Sequence, residues 1–475
     1  MKKILILYGS YGGGHLAAAK SLQNYFETNY KDEIEIKILD CIEYINKYVN
    51  KVSTDAYKEI AKKAPWIWKR IYNNSKDGAL ASLSNTTNKL MSRKLISLLD
   101  EEKPDLIIST QPFATQMIAH LKEKKKINYR LATVMTDFHI HPQWLVSFEQ
   151  NDFFFVANAQ MKMDMVGLGI NDEKIFVTGI PVSNKFTQRM NKVQIHKEFE
   201  LDENQKTILF FAGGEFGLGR NTTFMILKAI IRLFPNMQVV AISGKNKTMK
   251  QKFEDLVKNT HSENRIKILE FTDKVPELMK IACLVITKPG GLTVSESLAS
   301  NKPIIVINPI PGQEEENAEY LINNNVAIRI TDEDNISRSL KYLFKNEENF
   351  NQMIESTKKL SKPHATKNIC EKLYEEIMTK PSPEPIKKDI KENKIKGIIG
   401  DAKDIIKEAN DKIEDKFEEA KGKLKTKIVT AKDKLEDTIE TAKDKMDIFD
   451  LREKIEKAEK SNKTIKTFNK KDDNN

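Results

Sequence analysis

No stretch of this 475-residue chain approaches the ~20 consecutive apolar residues that a membrane-crossing helix needs. A spanning helix is therefore not expected, and any bilayer contact should be peripheral. Cysteine is scarce. Cys41, Cys283 and Cys370 lie far apart, with no zinc-like or redox-motif spacing, which excludes a disulfide framework and argues for a reducing compartment. The opening MKKILILYGSYGG is basic, but only five apolar residues precede the glycines. That is too short for a signal peptide and suits a buried first strand. Beyond residue 385 proline, tryptophan and tyrosine vanish altogether.

What is present is charge and alternation. Charged residues make up 31% of the chain and the formal net charge is +10, which favours anionic partners without choosing among lipid, phosphate ligand and nucleic acid. Short apolar runs alternate with helix-length segments. Ile4–Leu7, Ile34–Leu39, Leu106–Ser109, Leu131–Met135 and Phe153–Val156 read as one set of strands. After Gly179-Ile180-Pro181 a second set follows: Ile208–Ala212, Gln238–Ile242, Ile266–Leu269, Leu284–Thr287 and Ile304–Ile307. Such alternation implies parallel sheets covered on both faces. The expected class is α/β: two doubly wound, Rossmann-like domains, 1–185 and 186–379, facing across a cleft where ligands bind. The run KPSPEP at 380–385 reads as a linker, and 386–475 as a helical tail.

Chemistry-bearing residues gather at strand ends. The first strand runs into GSYGGGH, Gly9 to His15, at the start of a helix, where backbone amides can meet an anion and an imidazole can take a proton. The spacing is not the dinucleotide fingerprint, and a tight turn with a capping histidine is the plainer reading. In the second half TKPGGLTVSES, Thr287 to Ser297, places Gly290, Gly291, Leu292 and Thr293 at a helix start suited to a diphosphate, with Glu296 one turn in, where a carboxylate can hold ribose hydroxyls. The next strand ends in NPIPGQEEEN, and Gln313, Glu314 and Asn317 form a polar cluster suited to sugar hydroxyls. After the Leu131–Met135 strand, Asp137 is a second candidate base, or a loop cap.

These segments carry a resemblance. GSYGGGH, MTDF (135–138), TGIP (178–181), SGKN (243–246), KPGGLTVSE and PGQEEENA occur in the order found in the diacylglycerol glycosyltransferases, both the bacterial processive glucosyltransferases and the plant monogalactosyldiacylglycerol synthases. The match runs from residue 3 to about 378 and is specific, because six motifs share one order. It implies the GT-B fold shared with the peptidoglycan N-acetylglucosaminyltransferase. It implies inverting, metal-independent transfer of glucose or galactose from a UDP-sugar co-substrate to diacylglycerol. By the same resemblance His15 contributes to catalysis, Glu296 binds ribose, and Gln313 and Glu314 hold the donor sugar. Gly14, the Gly213-Gly214 loop, Lys245 and Asn246 line the donor site, and Phe271 to Val275 would meet the uracil. The triple glycine before His15 is a small departure from the family form.

Three features fall outside those motifs. His139 and His141 hint at metal by their spacing, but no Cys/His/acid set completes a site. Asp332-Glu333-Asp334 formally matches the acid–x–acid motif of metal-dependent transferases, yet reads better as a helix cap, so no metal cofactor is expected. Residues 53–74 interleave Trp66, Trp68 and Tyr72 with Lys62, Lys63, Lys69 and Arg70, which suits the headgroup region of an anionic bilayer as well as it suits a core-facing helix with a basic face. Nothing else supports nucleic acid as a partner. The tail repeats every eleven residues through Ala409, Ala420, Ala431 and Ala442, with Ile413, Leu424, Leu435 and Met446 four residues on. That is one narrow apolar stripe. An accessory membrane-surface helix is the favoured reading, against a self-associating helix or a disordered tail.

The expectation is thus a peripheral enzyme of the cytoplasmic membrane face, with UDP-sugar, diacylglycerol and an anionic lipid surface as partners. The alternatives are a peptidoglycan-type transferase, a UDP-sugar epimerase of similar fold, and a catalytically idle UDP-sugar sensor.

Overall fold

The strands that read as apolar runs pair in parallel, because side chains buried on both faces need helices on both faces. The computed structural model describes residues 1–9, 13–45, 95–212, 220–330 and 333–383. In the first sheet β1 (Lys2–Tyr8), β2 (Ile34–Asp40), β3 (Leu106–Ser109), β4 (Arg130–Val134), β5 (Phe153–Val156) and β6 (Ile175–Val177) lie in the order β2-β1-β3-β4-β5-β6. In the second, β7 (Lys206–Phe211), β8 (Met237–Ile242), β9 (Ile266–Leu269), β10 (Ala282–Thr287), β11 (Ile304–Ile307) and β12 (Ala327–Ile330) lie in the order β12-β11-β10-β7-β8-β9. Strand order reverses between β1 and β3 and again between β7 and β10. Those reversals open a crevice at the carboxyl ends of the strands, where ligands of such sheets bind.

The period-two alternation of each strand builds two cores per sheet. Leu5, Leu7, Ile107 and Leu131 face the Pro112–Glu123 helix. Ile4, Ile6, Ile108 and Val134 face the Gly13–Asn29 helix on the other side. A further cluster belongs to neither half alone. It joins Phe138, Trp144 and Phe154 to Val294, Leu298, Val306 and Leu321, so the two sheets share one apolar seam.

Two boundaries differ from the sequence reading. The Ala365–Thr379 helix, assigned by position to the second domain, packs on the first sheet. Its fully buried Ile369, Leu373 and Ile377 join Ile4, Ile6, Leu22 and Phe26, each contributing about 1.5–3 kcal/mol. Periodicity shows that a helix is apolar on one side, not which sheet it covers. The 380–385 linker is also not free along its whole length. Arg130 donates to the Pro381 carbonyl at 2.9 Å, Lys2 donates to Ser382 Oγ at 2.8 Å, and Ser382 donates to Asp105. These bonds strap residues 381–382 to the amino-terminal edge of the first sheet. The chain returning to that helix and strap passes against Gly179, whose φ is +90°. A Cβ there would sit 2.5 Å from Lys362 Cβ, so only glycine lets the two chain segments pass.

The chain divides into Met1–Ile386 and Lys387–Asn475. The 386–475 tail, the 53–74 stretch with Lys62, Lys63, Trp66, Trp68, Lys69, Arg70 and Tyr72, and the Gly213-Gly214 loop lie outside the described residues. So does Asp332, although the helix expected after it does begin, at Glu333. No helix among the described residues is long and apolar enough to cross a membrane.

Candidate active site

His15 lies in the first turns of the Gly13–Asn29 helix, at the reversal between β1 and β3. Its Nδ1 is 2.6 Å from the carbonyl oxygen of Thr110, the residue just past β3, and 3.1 Å from Thr136 Oγ1. A carbonyl only accepts, so Nδ1 carries the proton and Nε2 keeps its lone pair. Burial lowers the imidazole pKa to about 4, against the upward pull of the Thr110 bond, so the ring is neutral at pH 7. The buried Trp144 meets it edge-on, ring centroids 6.4 Å apart.

Asp137 follows β4 and is buried. Its carboxylate accepts from the Trp144 indole at 3.4 Å, and the amides of Gln313 and Asn317 approach it. Burial raises its pKa to about 6, more than these donors lower it. Asp137 shares a cavity of about 90 Å³ with Gly290, Gly291, Ile310, Gln313, Glu314 and Asn317. Asp137 comes from the first half, and every other lining residue comes from the second.

The second half supplies an open helix start. Gly290 is the N-cap of the Gly291–Ala299 helix and has no side chain to cap it, so the first-turn amides stay available to an anion. Gly14 faces this turn: a Cβ on it would lie 3.7 Å from Leu292 Cβ. Glu296 is half-buried one turn in, and burial alone raises its carboxyl to about 8. Among the described residues nothing donates a hydrogen bond to it. Glu314 accepts the Ile310 amide at 2.7 Å. Burial raises its pKa, and the nearby Lys288 ammonium opposes that rise.

The remaining assignments separate. Asn246 caps the Lys247–Asn259 helix through the Met249 amide, and Lys245 is exposed. Val275 and Leu292 are partly buried and pack against the core. Phe271 is 78% exposed just beyond β9. His141 Nδ1 accepts the Gln143 amide as the cap of a short 3₁₀ turn. Asn317 points both ends of its amide at backbone, Oδ1 at the Phe138 amide and Nδ2 at the Pro289 carbonyl. Sequence reasoning missed Lys288, whose buried Nζ has no hydrogen-bond partner among the described residues, and Thr110, whose carbonyl sets the His15 tautomer. The lysine was visible in the KPGG motif, but only the fold buries it. The carbonyl leaves no mark in sequence.

A family model described as monogalactosyldiacylglycerol (MGDG) synthase matches residues 15–182, and one described as glycosyltransferase family 28 C-terminal domain matches residues 219–369. The processive diacylglycerol beta-glucosyltransferase of Bacillus thuringiensis (strain Al Hakam) is 32% identical over 394 residues, spanning 81% of this chain and 96% of that protein. The chain belongs to the diacylglycerol glycosyltransferase family. Among solved structures, a putative UDP-N-acetylglucosamine 2-epimerase from Listeria monocytogenes aligns with TM-score 0.55 at 16% identity, covering 81% of this chain and 100% of that one. Acinetobacter baumannii MurG aligns with TM-score 0.55 at 11% identity, over 79% and 100%. At such identities the likeness is one of fold, two Rossmann-like domains in the GT-B arrangement. The glycosyltransferase therefore carries its candidate base on one domain and its open helix start on the other.

Proposed function

We propose that this glycosyltransferase moves glucose from UDP-glucose to the free hydroxyl of diacylglycerol, with inversion at the anomeric carbon and without a metal. The observation that carries the proposal is the His15–Thr110 bond. It leaves a neutral imidazole whose unprotonated Nε2 can take the hydroxyl proton as the lipid oxygen attacks. A base with a pKa of about 4 holds a proton weakly, so removal of the proton accompanies attack rather than preceding it. The departing UDP gathers charge at the uncapped amides of the Gly291–Ala299 helix, a fixed field that does not reorganise during the reaction. Glu296 holds the ribose, and Gln313 with Glu314 holds the sugar. The reaction takes place peripherally at the cytoplasmic membrane face, where the aromatic-basic stretch 53–74 meets anionic lipid.

The test is an assay of the full chain with diacylglycerol in anionic vesicles and UDP-glucose, UDP-galactose or UDP-N-acetylglucosamine, in excess chelator. Glucosyl-diacylglycerol of β configuration is expected from UDP-glucose. An epimerised nucleotide sugar with no lipid product would overturn the reading. So would activity that vanishes in chelator and returns with magnesium.

A further inference from the structure

We infer that Asn317 and Asp137 are positioning residues that latch the two domains shut over the donor-sugar pocket, rather than a sugar ligand and a base. The geometry of Asn317 is the main argument. The side chain is 1% exposed on the Gln313–Asn323 helix of the second domain. Its Oδ1 accepts the backbone amide of Phe138 from the first domain at 3.0 Å. Its Nδ2 donates to the carbonyl of Pro289, beside the helix start, also at 3.0 Å. One amide thus ties the segment after β4 to the segment after β10. With both ends engaged on buried backbone, it has little capacity left for a sugar hydroxyl.

Other contacts close the same seam. Within the first domain Asn158 Nδ2 donates to the Phe138 carbonyl at 2.9 Å, so the backbone of Phe138 is held at its carbonyl by its own domain and at its N–H by the other. The Phe138 ring stacks on Tyr320, centroids 5.3 Å apart and planes 19° from parallel. At Gly291 the approach is closer still, and a Cβ there would overlap the Thr136 carbonyl oxygen. Asp137 stands between these contacts. Its carboxylate accepts from Trp144 on its own domain and is approached by the Gln313 and Asn317 amides of the other. An acceptor so occupied is poorly placed to remove a proton from a lipid.

The function of such a latch follows from what each domain carries. The first presents His15 and the second the diphosphate-binding turn, and reaction requires their separation to be fixed. Misplacement by about 1 Å costs on the order of a hundredfold in rate.

The test uses the full chain and three variants, Asn317→Ala, Tyr320→Ala, which removes the stack on Phe138, and the double. UDP-glucose kinetics, UDP affinity and amide hydrogen exchange in the absence of ligand are measured. Loss of the latch is expected to lower kcat about 10- to 100-fold while UDP affinity stays within about threefold. Exchange should rise together in residues 134–139 and 289–295, with β1 and β3 as protected as before, which also shows that the variants fold. The double variant should be no worse than the worse single, because both open one closure. An unchanged kcat with a raised KM for UDP-glucose would make Asn317 a sugar ligand and overturn the inference, as would additive losses. Asp137→Asn should keep the shape of the pH–rate profile, and loss of its acid limb would make Asp137 the base. The kinetic arm rests on the glycosyl-transfer reading, but exchange does not. A protein that glycosylates no lipid yet loses protection at both segments would keep the latch and sink that function.

Discussion

Glu296→Gln should abolish a pH dependence of UDP binding that the native protein shows above neutrality. In the unliganded protein burial holds this carboxyl near pH 8, so at pH 7 roughly nine-tenths of the molecules carry its proton. Two ribose hydroxyls donate best to the ionised form, so binding selects it and expels the proton. At pH 7 close to one proton, about 0.9, should therefore be released for each UDP bound. The dissociation constant should fall about tenfold between pH 7 and pH 9 and then level off. The phosphates of UDP are essentially ionised across this window, since the second ionisation of a phosphate monoester lies near 6. Lys302, which burial lowers to about 8, titrates in the same range, so the glutamine variant is what assigns the slope. Calorimetry at pH 7 in two buffers of different ionisation enthalpy counts the protons directly. Glu296→Gln should bind UDP about 10- to 100-fold more weakly at pH 9, with no proton released. No proton release from the native protein, or a slope that survives in Glu296→Gln, would refute the argument. The same shift acts on folding. Between pH 4.5 and 8 the folded chain keeps a proton that the unfolded chain gives up, so this group's contribution to stability declines as pH rises through that window.

Three further outcomes are expected. His15→Ala should lower turnover by a factor on the order of 100 to 10,000 with UDP affinity unchanged, and a loss under about tenfold would remove it as the base. Gly179→Ala should destabilise the protein by about 1–3 kcal/mol, read as a lower melting temperature, because it adds strain at a positive φ and a clash with Lys362. Truncation after residue 385 should leave activity on detergent-dispersed lipid intact and weaken binding to anionic vesicles several-fold. Truncation after 379 should in addition lower thermal stability, because it removes the Ser382 and Pro381 bonds to Lys2, Asp105 and Arg130.

The sequence pattern foretold the sheets well where a strand is buried on both faces. Leu106–Ser109, Phe153–Val156 and Ile304–Ile307 form strands over the residues expected, and so does the partly buried edge strand Ile266–Leu269. It missed β6 and β12. One is an apolar run of only three residues and the other is interrupted by Arg329, so neither presents an apolar run of strand length. Motif residues at strand ends were legible because strand ends are where doubly wound sheets present ligands. What those residues touch was not legible. Asn317 reads as a sugar ligand until its two backbone partners, 179 and 28 residues away, are brought beside it. Nothing in the KPGG motif shows that the Lys288 ammonium is buried near Glu314.

The helix that crosses back to the first sheet has a consequence for how the protein is made. Ile4, Ile6, Leu22 and Phe26 are among the first apolar residues to leave the ribosome, and their cover includes Ile369, Leu373 and Ile377, among the last of the two domains. At about 5–20 residues per second, the interval between them is roughly 20–70 s. For that time part of the amino-terminal half's apolar face lacks the cover that its last helix brings. The two halves therefore cannot mature in turn as independent units, and the first reaches its native packing only after the second has been completed.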